Sequence, residues 1–161
     1  MKRHWLLLGA LCALAGCAKD RMDDPSIDKS LTPARAANNI DASRGHKVRW
    51  GGVIVSSSNL QDTSQLEVLS YPLDEDGRPQ RDDEPLGRFI AQKSGYLETL
   101  DYAPGRLVTV TGPVQATRTG KLGKAQYTYP VIDADEMQLW QTRAPRTEPR
   151  FHFGIGVGIG H

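Results

Sequence analysis

The sequence predicts a mainly all-β fold, a small antiparallel barrel of five or six strands with one short helix before it. Three observations predict it. Between residues 47 and 140, short runs rich in β-branched and aromatic residues follow one another, Gly and Pro turns separate them, and no long helical period interrupts them. A region of roughly 95 residues is long enough for one modest core.

Residue composition and the turn residues predict six strands. Gly51-Gly52 lies inside the first strand and predicts a bulge or a sharp bend there. The fourth strand is expected to end at Gly112-Pro113, and Pro130, which has no N–H group, is expected near a strand end or a sheet edge. The predicted ranges are 48–55, 66–71, 87–91, 106–111, 127–131 and 137–140. Short strands in this number favour a partly open, OB-like barrel.

Local signals define the helix and two of the turns. Thr32 followed by Pro33 is typical of a helix start, so a short helix is expected from Pro33 to about Asn39. Pro104-Gly105 predicts a type II turn, in which Gly takes a positive φ. Two glycines within residues 118–124 predict a loose hairpin tip.

The N-terminus carries the features of an export signal in the usual order. Lys2 and Arg3 are basic, and the apolar run from Trp5 to Ala13 is shorter than the roughly 20 residues that span a bilayer. The next four residues, Leu14-Ala15-Gly16-Cys17, resemble the lipobox of bacterial lipoproteins. In that class the cysteine receives a diacylglyceryl group, the chain is cut before it, and the new amine takes a fatty acid such as palmitate. The resemblance implies a signal peptide of residues 1–16 and lipidation of Cys17.

The residues after Cys17 indicate which membrane holds the protein. In lipoproteins of Gram-negative bacteria an Asp directly after the cysteine favours the inner membrane, whereas Ala18 and Lys19 stand here. The resemblance therefore implies the outer membrane, with the protein facing the periplasm. Residues 17–30 are polar and are interpreted as a lipidated tether, and nothing after Cys17 is apolar enough to span a bilayer.

Charge and cysteine content limit the possible partners. Cleavage before Cys17 would leave 145 residues with 18 basic and 19 acidic side chains, and this near-neutral balance argues against a nucleic-acid partner. Cys12 would leave with the signal peptide and Cys17 would carry lipid. We therefore expect neither a free thiol nor a disulfide in the mature chain.

The middle of the chain, roughly residues 30 to 140, resembles the Slp family of bacterial outer-membrane lipoproteins. The resemblance implies an envelope protein associated with starvation or stress, and it implies no known reaction. The residues that carry it are Trp50-Gly51-Gly52-Val53-Ile54, Leu66-Glu67-Val68, Tyr71-Pro72-Leu73-Asp74, Gly77-Arg78-Pro79, Gly87-Arg88-Phe89, Tyr102, Pro104-Gly105-Arg106, Val108–Gly112, Tyr127–Val131 and Leu139-Trp140.

One basic and aromatic set is the candidate ligand-binding site. OB-like barrels bind oligosaccharides and single strands with such residues, although the same residues also serve as a charged loop tip and cross-strand tyrosines. Trp50 and Trp140 are expected in the core or at a barrel end. The candidate residues are Arg106, Arg118, Lys121, Lys124 and Tyr127.

Other polar clusters fit no reaction or metal site. The acidic residues between Asp74 and Glu84 lack EF-hand spacing, and His46, His152 and His161 show no zinc pattern. Ser56, Ser57 and Ser58 lie outside any nucleophile elbow and are interpreted as a turn. We therefore expect no metal, no cofactor and no enzymatic activity.

The last residues form a separate segment. The β domain is expected over residues 31–142 and a Pro/Gly-rich tail over 143–161. From Phe151 to Gly160 apolar side chains alternate with His or Gly, so an extended tail would have one apolar face for the domain, a partner or a membrane to cover.

These observations predict a lipid-anchored protein of the outer membrane with a structural or interaction role in the cell envelope. Its expected partners are the outer membrane, the lipoprotein processing and sorting machinery, and an envelope protein. The alternative is an envelope ligand-binding module for an oligosaccharide, a cell-wall fragment or another anion.

Overall fold

The computed structural model describes residues 24–141, and it is mostly β, as the sequence predicts. Two short helices precede six strands. The elements are α1 (Pro33–Asn38), α2 (Ile40–Ser43), β1 (Lys47–Asn59), β2 (Thr63–Tyr71), β3 (Gly87–Ser94), β4 (Leu107–Leu122), β5 (Ala125–Asp133) and β6 (Glu136–Leu139).

The sheet closes on itself as an OB-like barrel. Its order is β1-β2-β3-β5-β4, and β4 pairs back with β1, while β6 lies along the first half of β4. All pairs are antiparallel except β3 with β5, which run parallel over three residues from Ile90 and Val131. Five strands in this order, with one parallel pair and a closing β1–β4 ladder, confirm the expected fold class.

Alternating side chains fill the interior. In β2, the residues Ser64, Leu66, Val68 and Ser70 point inward and are buried. The residues that alternate with them along the strand face outward and are half-buried. The fully buried apolar side chains include Val48, Ile54, Leu66, Val68, Phe89, Val108, Val110, Val114 and Ile132.

The helices cover one end of the barrel, which we call the helix end. It holds the starts of β1, β3 and β5. Ala36 of α1 is fully buried, and Trp50 Nε1 donates to the carbonyl oxygen of Leu31 (2.7 Å). The ring of Trp50 packs edge-on against Phe89, with 5.3 Å between centroids. The short helices are therefore stabilised by packing on the barrel and not by their own length.

The opposite end, which we call the loop end, is covered by the β3–β4 connection, residues 95–106. It holds the ends of β1, β3 and β5. Leu97 and Tyr102 of the connection pack against the core. The side chain of Asn59 at the end of β1 donates to the carbonyl oxygen of Leu97 (3.0 Å) and accepts from its N–H (3.2 Å).

The helix and turn predictions are largely confirmed. Thr32 caps α1 by accepting from Arg35 N (3.4 Å), and Gly105 has a φ of 90°, as a type II turn requires. The helix ends at Asn38, and a second short helix follows because the side chain of Asn39 caps it by accepting from Ala42 N (3.3 Å).

Of the bulge or sharp bend predicted at Gly51-Gly52, the bulge is wrong. The irregularity of β1 lies between Ile54 and Ser56. The glycines serve close approach instead, because β1 pairs with β2 and β4 on its two sides here. A Cβ on Gly52 would overlap the carbonyl oxygen of Leu69, and one on Gly51 would lie 2.7 Å from Thr109 Oγ1.

The predicted end of the fourth strand at Gly112-Pro113 is also wrong, since β4 continues to Leu122. On one edge, β4 pairs with β6 at residues 108–111 and with β5 from Val114 onward. The missing N–H of Pro113 falls in the gap between these two partners, so it breaks no ladder. Pro130 is likewise tolerated just before the parallel pairing with β3 begins at Val131.

Candidate functional site

The second half of β4 and the first half of β5 form a projecting hairpin, which we call the hairpin arm (residues 117–130). These residues pair only with each other, beyond the ladders to β1 and β3. The turn at its tip is tight: Leu122 faces Ala125, and Gly123 takes a φ of 62°. The loose tip predicted for residues 118–124 is therefore mostly regular strand.

One side of the hairpin arm leans against the outer face of β2 and β3. The hydroxyl of Tyr127 accepts from Arg88 N (2.9 Å), and the hydroxyl of Tyr129 donates to Glu67 Oε1 (3.4 Å). Arg118 Nη1 donates to Gln65 Oε1 (2.7 Å). The Tyr127 and Tyr129 rings lie 4.7 Å apart at 60°. These contacts fix the orientation of the arm.

Beneath the arm lies a half-buried ion pair that the sequence did not reveal. Arg88 Nη1 donates to Glu67 Oε1 over 2.6 Å, and each side chain keeps less than a quarter of its surface exposed. Burial, and then the charge of Glu67, raise the pKa of Tyr129, which keeps the phenol neutral. Only the alternation in β2, which points Glu67 outward, could have indicated its position.

The other side and the tip of the hairpin arm carry the free charge. Lys121 and Lys124 are exposed, and Leu122 has 37% of its surface in solvent. With Arg118 the arm has three cations, and residues 117–130 contain no Asp or Glu. The arrangement can attract an anion by its charge.

The structure brings four of the five candidate residues together and separates the fifth. Arg118, Lys121, Lys124 and Tyr127 all lie on the hairpin arm. Arg106 lies at the loop end, before the start of β4, where it donates to the carbonyl oxygens of Asp101 (2.8 Å) and Trp140 (3.5 Å). The prediction that Arg106 belongs with the basic hairpin is therefore wrong, because β4 carries the two groups to opposite ends of the fold.

The acidic loop between β2 and β3 is organised by one carboxylate. Asp74 Oδ1 accepts from Asp76 N (3.0 Å) and Arg78 N (2.8 Å), and Oδ2 accepts from Gln80 Nε2 (2.8 Å). These bonds fold the loop onto itself beside a polar groove of about 450 Å³. Across residues 24–141, no group of three or more His, Cys, Asp or Glu side chains is placed to hold a metal ion.

The other residues that the sequence analysis singled out lie in different parts of the chain. Trp50 is buried, and Trp140 is half-buried at the loop end, where the guanidinium of Arg78 stacks over its ring at 5.4 Å. His46 pairs with Asp28 (3.0 Å). Cys17, the signal peptide, and the tail with His152 and His161 lie outside the described residues.

Fold and site together define a small OB-like domain with a basic hairpin arm. The class of protein follows from the sequence comparison: the model for the outer membrane lipoprotein Slp family matches residues 14–155. The chain belongs to the outer membrane lipoprotein Slp family. It is therefore an envelope lipoprotein of the outer membrane, as the resemblance implied.

Similar proteins agree with this assignment. An uncharacterized lipoprotein, YeaY of Escherichia coli (strain K12), is 34% identical over 73% of this chain. An uncharacterized protein of Haemophilus influenzae is 37% identical over 58% of this chain. The chain spans only 63% and 51% of the lengths of these two relatives. The outer membrane protein Slp of E. coli (strain K12) is 26% identical over 89% of this chain and 77% of its own length.

Solved structures with a similar fold are distant. A small single-stranded DNA-binding protein from Streptomyces coelicolor matches 62% of this chain and 98% of its own, with a TM-score of 0.39 and 16% identity. Pot1pC of Schizosaccharomyces pombe bound to ssDNA matches 74% of this chain and 88% of its own, with a TM-score of 0.31 and 11% identity. Similarity at this level has no bearing on function.

Neither α1 nor α2, the helices found within residues 24–141, has the length or the apolar character needed to cross a bilayer.

Proposed function

We propose that lipid on Cys17 anchors this protein to the outer membrane and that its β domain faces the periplasm. The domain has a structural or interaction role in the envelope of starved or stressed cells, and it catalyses no reaction. The observation that supports the proposal best is the attachment of residues 24–28 to the helix end of the barrel.

That attachment consists of several contacts at the start of β1. Ile27 is buried and bridges to Lys47, and Asp28 N donates to the Lys47 carbonyl oxygen (2.8 Å). The carboxylate of Asp28 contacts His46 (3.0 Å), and Asp24 lies 3.7 Å from Lys47 Nζ. The seven residue steps from Cys17 to Asp24 span at most about 25 Å. A lipid on Cys17 would therefore hold the helix end close to the membrane.

A non-catalytic role is supported by how the polar groups of the candidate site are used. Glu67 pairs with Arg88, the Tyr127 hydroxyl accepts from a backbone N–H, and Arg118 bonds to Gln65. Each of these groups contributes to the attachment of the hairpin arm. Catalysis instead needs an acid, base or nucleophile whose reactive atom is available to a substrate.

The anchor is tested by matched cysteine substitutions in the native host. We expect Cys17→Ser to abolish lipid attachment and to move the protein out of the outer-membrane fraction. The control Cys12→Ser should leave both unchanged, because Cys12 lies within the signal peptide. Mass spectrometry of wild-type protein that shows an unmodified Cys17, or residues 1–16 still attached, would refute the anchor.

A second candidate function is binding of an anionic envelope ligand, such as an oligosaccharide or cell-wall fragment, by the hairpin arm. It is favoured by the two exposed lysines and by the absence of acidic residues from the arm. Near a charged ligand, each exposed cation contributes roughly 0.2–1 kcal/mol.

Titration with purified anionic muropeptides tests this binding. We expect the double variant Lys121→Gln with Lys124→Gln to weaken affinity about fivefold, the effect of roughly 1 kcal/mol. The control Arg44→Gln with Arg81→Gln removes the same charge from exposed sites elsewhere. Equal loss in both variants would indicate non-specific attraction, and no binding by the wild type would exclude these ligands.

A further inference from the structure

Three large apolar side chains at the loop end are exposed, and we call them the apolar loop patch (Leu60, Tyr96 and Leu100). Their exposed fractions are 54%, 73% and 82%. The bonds between the Asn59 side chain and the Leu97 backbone hold the β1–β2 loop, with Leu60, beside the connection that carries Tyr96 and Leu100. Exposure of several large apolar side chains at one end of a domain is typical of a contact surface.

The chain leaves β6 close to the residue that follows Leu100. The guanidinium of Arg106 donates to the carbonyl oxygens of Asp101 and Trp140, so the residue after Leu100 and the residue after β6 share one partner. Trp140 N also donates to the Leu107 carbonyl oxygen (3.0 Å), and Arg78 Nη2 donates to that of Gln141 (3.3 Å). The point at which residues 142–161 begin is therefore held between Asp101, which directly follows Leu100 of the patch, and Arg78 of the acidic loop.

The sequence that follows has a spacer and then an apolar segment. Residues 142–150 are polar and contain Pro145 and Pro149, and nine residues reach up to about 30 Å. The next residues have no Asp, Glu, Lys or Arg as far as Gly160, and the family match extends to Ile155. In an extended chain five apolar side chains share one face: Phe151, Phe153, Ile155, Val157 and Ile159.

We propose that residues 151–159 dock on the apolar loop patch of their own chain and cover it. Burial of apolar surface from both partners drives the contact, at about 25 cal/mol per Å². The spacer gives the segment an effective concentration in the millimolar range, far above that of a second copy in solution.

Charge and position argue against two other destinations. The groove beside the acidic loop is lined by Asp74, Arg78, Arg81 and Asp82, which an uncharged segment would desolvate without pairing. The tether enters the domain at the helix end, so the apolar loop patch lies at the opposite end from the residues that lead to the membrane.

The test is amide hydrogen exchange on the full-length protein purified in detergent. Leu100→Asp adds a charge to the patch at a side chain that is 82% exposed, so the barrel should fold normally. The control Leu122→Asp makes the same change at the exposed tip of the hairpin arm. We expect amides of residues 151–160 to exchange at least about tenfold faster in Leu100→Asp than in the wild type or the control.

A reciprocal variant changes only the tail. Ile155→Asp with Val157→Asp should speed exchange of residues 95–101 and leave that of β2 unchanged. Equal exchange of both segments in all four proteins would overturn the proposal. Protection that rises with protein concentration would assign the patch to a second copy, and protection that requires added phospholipid vesicles would assign the tail to the membrane. Either result would also overturn it.

Discussion

At the scale of single residues, close backbone approach decides where side chains are forbidden. Gly52 lies where β1 is flanked by both β2 and β4, and Gly112 lies where β4 changes partner. A Cβ at either position would overlap a main-chain carbonyl oxygen, that of Leu69 or Asp133. Because a backbone atom cannot rotate away as a side chain can, the sheet itself would have to shift.

Gly52→Ala tests this constraint. We expect it to lower the free energy of unfolding by at least about 2 kcal/mol, through overpacking and displaced sheet pairing. The measurement is urea denaturation followed by fluorescence. Ser58→Ala, at an exposed position of the same strand, should change stability by less than about 0.5 kcal/mol. A normal denaturation midpoint for Gly52→Ala would mean that the strands separate more easily than the geometry indicates.

Asp28 gives the N-terminal attachment a pH dependence. Hydrogen bonds from Ser30 and then from His46 lower the pKa of Asp28 from 3.8 to about 2. Because the folded state binds this proton more weakly than the unfolded chain, the contribution to stability is complete above about pH 4 and is lost as the pH falls through 2.

The expected effect is modest because the Asp28 side chain is partly solvated. We expect Asp28→Asn to lower stability at pH 7 by about 1 kcal/mol and to have a much smaller effect near pH 2. Urea titrations at the two pH values measure this, with Asp82→Asn as an exposed control. A difference from the wild type that is the same at both pH values would show that the carboxylate charge is not the cause.

At the scale of elements, the hairpin arm depends on a few contacts across the outer face of β2 and β3. Tyr127 is the residue that joins the arm to the backbone of β3, through its bond with Arg88 N. The sequence predicts a hairpin here with the correct basic residues. It does not predict that the tyrosines face the barrel, because that depends on how many residues of β5 precede its ladder with β3.

Tyr127→Phe removes this acceptor and leaves the ring. We expect a loss of about 1 kcal/mol in stability, together with faster exchange of the Arg88 amide, which would be left half-buried without a partner. Hydrogen exchange by NMR measures it. Tyr96→Phe is the matched control, since Tyr96 is 73% exposed. If Arg88 keeps its protection in Tyr127→Phe, the arm is held mainly by Tyr129 and Arg118.

At the scale of the whole molecule, the barrel has two distinct ends. The tether joins the barrel at the helix end, near Lys47. The chain leaves β6 near Leu107, at the start of β4. The six residues between Cys17 and Asp24 limit the distance from Cys17 to Asp24 to at most about 25 Å. The proposed lipid on Cys17 would therefore give the domain a preferred orientation, with the loop end away from the membrane.

Fluorescence energy transfer to an acceptor in the lipid phase tests this orientation. In protein lipidated on Cys17, a dye on Ser26→Cys near the helix end should transfer more strongly than one on Ser94→Cys at the end of β3. Both serines are exposed, so labelling should not disturb the core. Equal transfer from the two sites would mean that the domain tumbles on its tether.

The sequence by itself determined the fold class, the Thr32 cap, the Gly105 turn and membership of a lipoprotein family, because these depend on local composition and on runs of neighbouring residues. Only the tertiary structure decided the closure of the barrel, the role of Gly51-Gly52 and the length of β4. It also placed Glu67 beside Arg88 and Arg106 far from Lys121. These features depend on which strand lies beside which, and strand partners are chosen by packing between residues distant in the chain.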